Sequence, residues 1–263
     1  MDFYLDLYEY YPITVYIFIA VFGTVIGSFV NVVISRLPEK GKFFSNSRSC
    51  CPDCGETIRW YDLFPVFSWF ILLGKCRDCK ARISFRYPAV EILGALLAVF
   101  ALYSFGMTYL TLIVYPVTMI LMAISFIDFD TSEIPDSLII AIAPFAVASI
   151  WFFEDVTWLS HIIGLFSIAL PMVIISMIVS GAFGGGDIKL MAACGLFLGW
   201  QLTLIAFFIA ILIGGTFAVY LMLSGRRKRG EHMVFGPALC LGVAISIYFG
   251  KSILDFYLSY ILI

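Results

Sequence analysis

Residues 92–127 run without a single charged side chain, and this sets the medium in which the chain folds. A helical span needs about 20 mostly apolar residues. The stretch is too long for one span and breaks at Ser104-Phe105-Gly106 into two. Further apolar segments at 12–35, 137–153, 159–180, 188–199, 202–224 and 234–250 bring the expected number of spans to about eight. Only 13% of residues are charged and 62% are hydrophobic, against roughly 25% charged in a typical soluble domain. A soluble chain of this length could not hide so much apolar surface. A soluble enzyme, a disordered chain and a small disulfide scaffold are therefore excluded, and the expected fold is an all-α polytopic membrane protein. The first segment reads as a span, not a cleavable signal, because no basic residue precedes it and it is too long. The apolar tail 252–263 either lies at the interface or extends the bundle.

Orientation follows from Lys and Arg, which favour the cytoplasmic side. Of the sixteen, all but Lys189 and Lys251 fall in two loops. One holds Arg36, Lys40, Lys42, Arg48, Arg59, Lys75, Arg77, Lys80, Arg82 and Arg86. The other is Arg226, Arg227, Lys228 and Arg229, read as a topology anchor. Eight spans place both loops inside, with the connections 128–136 and 181–187. The acidic start (Asp2, Asp6, Glu9) and Glu154-Asp155 then fall outside.

The first basic loop carries two cysteine knuckles, Cys51-Pro-Asp-Cys54 and Cys76-Arg-Asp-Cys79. Paired thiolates at this spacing can close a tetrahedral zinc site. Two disulfides or four free thiols are the competing readings, and disulfides are disfavoured on the reducing side of a membrane. Cys50 adjoins the motif, but only Cys51 has the two-residue spacing. Four thiolates make a closed, structural site that organises a loop with little core of its own. Between the knuckles, Trp60, Tyr61, Phe64, Phe67, Trp69 and Phe70 either dip into the membrane interface or pack on the metal module. Cys194 and Cys240 lie in spans as packing residues.

Acids near spans ask for an explanation. Asp128, Asp130, Glu133 and Asp136 cluster after the third span. Asp187 closes Gly184-Gly185-Gly186-Asp187 before the sixth, and Glu91 opens the second. Aspartates at the ends of distant spans can meet in a bundle. Two close carboxylates cannot both ionise easily, so such a pair shares a proton. One can then activate water while the other protonates the scissile carbonyl or the leaving amine, which is aspartyl protease chemistry. On this reading Asp187 sits near a helix N-terminus, where the dipole favours its anion, and Asp128 holds the proton. Gly184, Gly185 and Gly186 permit unusual backbone conformations and close approach of a peptide. The bland alternatives are a helix cap for Asp187 and a solvated helix end for Asp128. Asp130 and Glu133 read as loop charges, Asp136 as an N-cap, and Glu91 as a partner for an Arg or part of a second activity. His161 and His232 fall on opposite sides of the membrane, no His-Glu-x-x-His motif exists, and His161 reads as interfacial.

Taken together these motifs resemble the bacterial type IV prepilin peptidases, or leader peptidases, of the GxGD aspartyl protease class. The resemblance rests on Gly27-Ser-Phe-Val-Asn-Val-Val-Ile-Ser-Arg-Leu-Pro38, the double cysteine module with Arg59-Trp60 and Pro65-Val-Phe-Ser-Trp69, and Arg86-Tyr-Pro-Ala-Val-Glu91. It rests also on Ile127-Asp128 with Ile134-Pro-Asp136, Gly184-Gly-Gly-Asp187-Ile-Lys-Leu190, and Phe235-Gly-Pro237. It implies that Asp128, in preference to Asp136, and Asp187 are catalytic. It implies cleavage of the basic leader of prepilins or pseudopilins after a glycine, on the cytoplasmic face of the bacterial inner membrane. The large cytoplasmic loop goes with members that then methylate the new N-terminus with S-adenosylmethionine, although no glycine-rich fingerprint of a soluble methyltransferase is present. The chain then divides into 1–35 (N-terminal segment and first span), 36–87 (zinc loop, associated with methyl transfer) and 88–263 (membrane-embedded peptidase core). Membrane lipids are expected partners and nucleic acid is not. The loop's excess of basic over acidic residues (Glu39, Asp53, Glu56, Asp62, Asp78) suits anionic headgroups, so a basic leader would be drawn to the acids around Asp128. An ion-coupled transporter using the same acids is the alternative. Transporters, however, place charges near the midplane and show internal repeats, neither of which is visible here.

Overall fold

The computed structural model describes residues 12–39, 48–153, 156–179, 181–224 and 234–261. The acidic start, Lys40, Lys42, Glu154, Asp155, the basic run at 226–229 and His232 lie outside them. The described residues are helical apart from the cysteine loop and short turns. The chain forms two compact units that divide at Thr111/Leu112.

The first unit is built on α1 (Pro12–Arg36) and α3 (Arg86–Phe105), with a 3₁₀ turn at Trp60–Leu63 and the short α2 (Phe67–Ile71) in the loop between them. Lipid offers no hydrophobic drive for two apolar helices to associate, so they need close backbone contact. Glycines supply it. A Cβ on Gly23 would lie 2.7 Å from the Ala95 backbone, one on Gly27 2.8 Å from that of Glu91, and one on Gly94 2.6 Å from the Gly23 carbonyl. Helix α3 ends at Gly106, whose φ of 65° favours glycine. This is the break expected from Ser104-Phe105-Gly106.

The second unit holds α4 (Tyr109–Thr131), α5 (Asp136–Phe152), α6 (Trp158–Ser167), α7 (Ala169–Ile178), α8 (Gly185–Leu198), α9 (Trp200–Leu223) and α10 (Gly236–Ile261). Helix α8 packs on α5, α6, α7, α9 and α10. It is polar-poor yet buried, through Leu190, Met191, Cys194, Phe197 and Leu198. Gly164 and Gly195 let α6 and α8 touch backbone to backbone. Hydroxyls cross-link neighbouring helices: Ser149 donates to the Phe197 carbonyl at 3.0 Å and Ser246 to that of Leu202 at 2.7 Å. The segment expected at 159–180 is interrupted at Ile168. Pro171 lacks an N–H and its ring crowds the carbonyl four residues earlier, which accounts for the break.

Among the described residues six helices are long and apolar enough to cross a membrane, counting Trp158–Ile178 as one. Helices α5 (17 residues) and α8 (14 residues) occupy two further expected positions and are shorter. Residues 252–261 of the tail do not form a separate element. Helix α10 continues through them as 26 helical residues. Cys194 and Cys240 are buried, as packing residues should be. His161 lies in the first turn of α6 and does not face outward. It is fully buried, and its Nδ1 is 2.8 Å from the Leu196 carbonyl.

Candidate active site

Within the second unit, three helix ends meet around Asp128. It lies in the last turns of α4 and is 5% exposed, so it is not a solvated helix end. The backbone N–H of Gly236, at the start of α10, donates to its carboxylate, and the charge of Asp187 acts on it from close by. Its Oδ2 is buried and has no hydrogen-bond partner among the described residues. A buried polar atom left unpaired is costly, so this oxygen offers a reacting group a strong contact.

Asp187 is the third residue of α8, inside the first turn and not ahead of it as the sequence suggested. The Gly184 N–H donates to its Oδ2 at 3.1 Å. It therefore does act as a helix cap, reaching back to an N-terminal amide, while its charge also acts on Asp128. The two roles are compatible because one carboxylate oxygen serves the cap.

The glycines matter through space, not through torsion. Gly184 sits at φ −70°, ψ 147°, and none of Gly184, Gly185 and Gly186 has a positive φ. The expectation of unusual backbone angles is thus overturned. A Cβ on Gly184 would come 3.1 Å from Asp187 Oδ2, and one on Gly186 2.9 Å from Ile134 Cβ. Gly185 faces open space. The pattern G-x-G-D thus marks two crowded glycines around a free position. Gly236 is as tightly placed, since a Cβ there would run into Asp128 Oδ2 and approach Ile134 Cδ1 at 3.2 Å. Gly236 and Ile134 had no stated role from sequence, although Phe235-Gly236-Pro237 and Ile134-Pro135 were visible as motifs.

Asp136 is not an N-cap. Pro135 holds that position, and Asp136 is the first helical residue of α5 with no capping bond. It instead accepts from Lys189 Nζ at 2.8 and 2.9 Å, on an exposed surface. Asp130 and Glu133 are exposed, as loop charges should be.

In the first unit the Sγ atoms of Cys51, Cys54, Cys76 and Cys79 lie within 4.8 Å of one another, and all are free thiols. Cys50 is exposed and outside the cluster. Each knuckle has the same fastening. Cys51 N–H donates to the Glu56 carbonyl at 2.9 Å, and Cys76 N–H to that of Ala81 at 2.8 Å. Gly55 and Lys80 follow the last cysteine of each with positive φ, and matching bridges join Cys50 to Thr57 and Lys75 to Arg82. Backbone amides of Cys79 and Asp78 hold the Cys76 thiol down at about 7. Cys54 receives the Glu56 amide, which lowers it, but burial and the sulfurs of Cys51 and Cys79 push it up to about 12. Four sulfurs so crowded need a cation before all can ionise. A zinc ion with Zn–S bonds of about 2.3 Å sets tetrahedral S···S edges of about 3.8 Å, and Cys51 to Cys79 is 3.8 Å.

The aromatic stretch divides into a packed residue and exposed ones. Trp69 packs on the module, with its indole N–H donating to the Ile83 carbonyl at 3.2 Å and its ring against Gly74. Trp60, Phe64, Phe67 and Phe70 are exposed. Among the described residues Glu91 pairs with no Arg. It is 8% exposed, and its Oε2 accepts from the Val66 N–H at 2.6 Å.

Comparison with known proteins divides the chain as the two units do. Residues 21–105 match the bacterial peptidase A24 N-terminal domain and residues 113–219 the type IV leader peptidase family. The chain is 33% identical to the prepilin leader peptidase/N-methyltransferase of Bacillus subtilis (strain 168), over 91% of this chain and 96% of that protein. It is 33% identical to that of Aeromonas salmonicida (strain A449), over 98% and 99%. With that of Legionella pneumophila it shares 30% identity, over 95% and 96%. No solved structure matches it.

Proposed function

The chain belongs to the type IV leader peptidase family, and from that premise we propose that it removes the basic leader of prepilins or pseudopilins and then methylates the new N-terminus. The observation that carries the peptidase reading is the convergence of Asp128 and Asp187 from distant segments, with one Asp128 oxygen buried and unpaired.

The chemistry follows from two carboxylates that share one proton. A water held between them loses a proton to the ionised partner as its oxygen attacks the scissile carbonyl carbon. The protonated partner gives its proton to the carbonyl oxygen. Collapse of the tetrahedral intermediate breaks the C–N bond, and the amine leaves with a proton returned from the pair. Gly236 N–H orients Asp128, and Gly184 N–H orients Asp187. The exposed backbone at Gly185 is where an extended substrate can lie without meeting a side chain.

The four cysteines hold a structural zinc ion, which would fix the two knuckles against each other. S-adenosylmethionine supplies the methyl group. All eight helical segments cross the inner membrane, the short α5 and α8 included, and the Lys and Arg distribution puts the active site on the cytoplasmic side. The exposed aromatic residues of the loop meet the lipid headgroups. A transporter reading finds no support, because the paired acids lie at helix ends.

The test is incubation of the purified protein with a prepilin, with and without S-adenosylmethionine, followed by mass measurement. The expected product has lost its leader and gains a methyl group only with the donor. An uncleaved prepilin would overturn the reading.

A further inference from the structure

Glu91 is a buried carboxylate that the peptidase chemistry leaves idle. It lines a cavity of about 1060 Å³ in the first unit, bounded by the cysteine knuckles and by α1 and α3. Its hydrogen-bond partners are neutral: the Val66 N–H at 2.6 Å and the Ser28 hydroxyl. Among the described residues no Lys or Arg pairs with it. Buried carboxylates are normally paired with a cation; of the arginines lining the cavity, Arg36, Arg59 and Arg77 bond elsewhere, to the Arg48 carbonyl, to Tyr61 and to Asp62, and neither they nor Arg82 bond Glu91.

The protein holds this carboxylate firmly. Pro65, Val66 and Phe67 form a γ-turn, with Val66 at φ 64°, ψ −56° and the Phe67 N–H donating to the Pro65 carbonyl at 2.6 Å. Positive φ at a β-branched residue is strained and persists only where its surroundings enforce it. The turn frees the Val66 N–H to meet Glu91. Beside it, buried Asn31 donates to the Tyr87 carbonyl at 3.0 Å, tying α1 to the start of α3. The cavity is at the upper end of the roughly 300–1,000 Å³ typical of small-molecule sites. Phe64 and Tyr87 line it and are exposed, so they offer aromatic faces.

The geometry points to this cavity as the site of the methyl donor, with the S-adenosylmethionine sulfonium beside the Glu91 carboxylate. This rests on the methyltransferase reading. In the transfer, the C–S bond breaks with its electron pair left on sulfur, and the free amine's lone pair forms the new C–N bond. The methylated ammonium then sheds a proton to water. The sulfur thereby becomes a neutral thioether. A carboxylate that favours the sulfonium holds the charged donor and releases the neutral product.

The test is equilibrium dialysis of the full-length protein in detergent with S-adenosylmethionine and, separately, S-adenosylhomocysteine. Glu91→Gln keeps an acceptor for the Val66 N–H and removes only the charge. Expected is a tenfold or greater loss of donor affinity, with a smaller loss for the thioether. Unchanged donor affinity, or equal losses for both, overturns the inference. Prepilin cleavage by the same preparation checks that the variant is folded. Should it fail that check, Glu91→Asp, which keeps the charge, is expected to retain the donor preference, and its loss overturns the inference. Wild-type protein that neither binds the donor nor methylates would overturn the methyltransferase reading itself.

Discussion

The cysteine cluster and the aspartate pair are built in opposite ways. Each knuckle is a local turn whose hydrogen bonds, positive-φ residue and bridge recur at matching positions in the other. The aspartate pair has no local logic of that kind. Asp128 ends one helix, Asp187 begins another, and Gly236 begins a third. A site made of repeated turns tolerates change around it as long as its ligands remain. One made of helix ends depends on the packing that brings the ends together.

The largest expected effect is on the pair itself. Asp128→Asn and Asp187→Asn are each expected to lower single-turnover prepilin cleavage by about 10³-fold, within the range for losing a general acid or base. Metal content should not change. Cleavage at the normal rate by either variant would dissolve the distinction between catalytic pair and structural cluster. The converse break is at the thiols. Replacing Cys51 and Cys54 together with Ser is expected to lower zinc from about one per chain to near none, read by metal analysis. Full zinc occupancy in that variant would overturn the ligand set.

The same contrast explains what could be read from sequence. The knuckles were legible because spacing alone fixes a turn, and the structure separates Cys50 from Cys51 as the spacing implied. The positions of the apolar helices were legible from apolar length, and the Gly106 break from a glycine that ends a helix. Contacts between helices were not. Nothing local to Asp136 announces Lys189, and its position after Pro135 suggested a cap that the backbone does not use. Nothing local to His161, near the start of a span, announces that it is buried against α8. The role of Gly236 needed the third helix end to be placed beside the first.

Smaller changes at that meeting point should separate crowding from conformational freedom. Gly186→Ala pushes a methyl against Ile134, and Gly236→Ala pushes one against Asp128. A displacement on the order of 1 Å can cost about 10²-fold in rate, and losses of that order are expected for both. Gly185→Ala meets open space and should leave the rate of leader removal within a few-fold, unless substrate backbone lies there. Comparing kcat and KM for Gly185→Ala distinguishes the cases, since a substrate clash raises KM and spares the pair.

The metal module has a softer, pH-dependent fastening. Arg77 Nε and a terminal nitrogen donate to Asp62 at 2.8 and 2.6 Å. These bonds hold the Asp62 carboxyl below the usual carboxylate range. A carboxyl lowered in the folded state contributes stability above its unfolded value, about 3.9, and loses it as pH falls through the folded value. Loop proteolysis should therefore quicken as pH drops below about 4. Asp62→Asn should already be fast at neutral pH and show less of this dependence. Identical profiles for the two proteins would show that the pair does not fasten the loop.

The smallest effect is expected at the ion pair beside the active site. Lys189 and Asp136 are both more than half exposed, and such pairs contribute about 0–1 kcal/mol. Their sequence positions, two residues after Asp187 and directly after Pro135, suggest a larger role than this exposure allows. If the aspartate pair depends mainly on glycine contacts and buried helix packing, Lys189→Ala and Asp136→Ala should each change thermal stability little. Neither should lower cleavage more than a few-fold at moderate salt. The double variant should match the sum of the single ones once the pair is screened by salt. A loss as large as that of Gly186→Ala would mean that the surface pair, not the buried contacts, sets the position of α8 against α5, and the contrast drawn between packing and local fastening would then fail at this site.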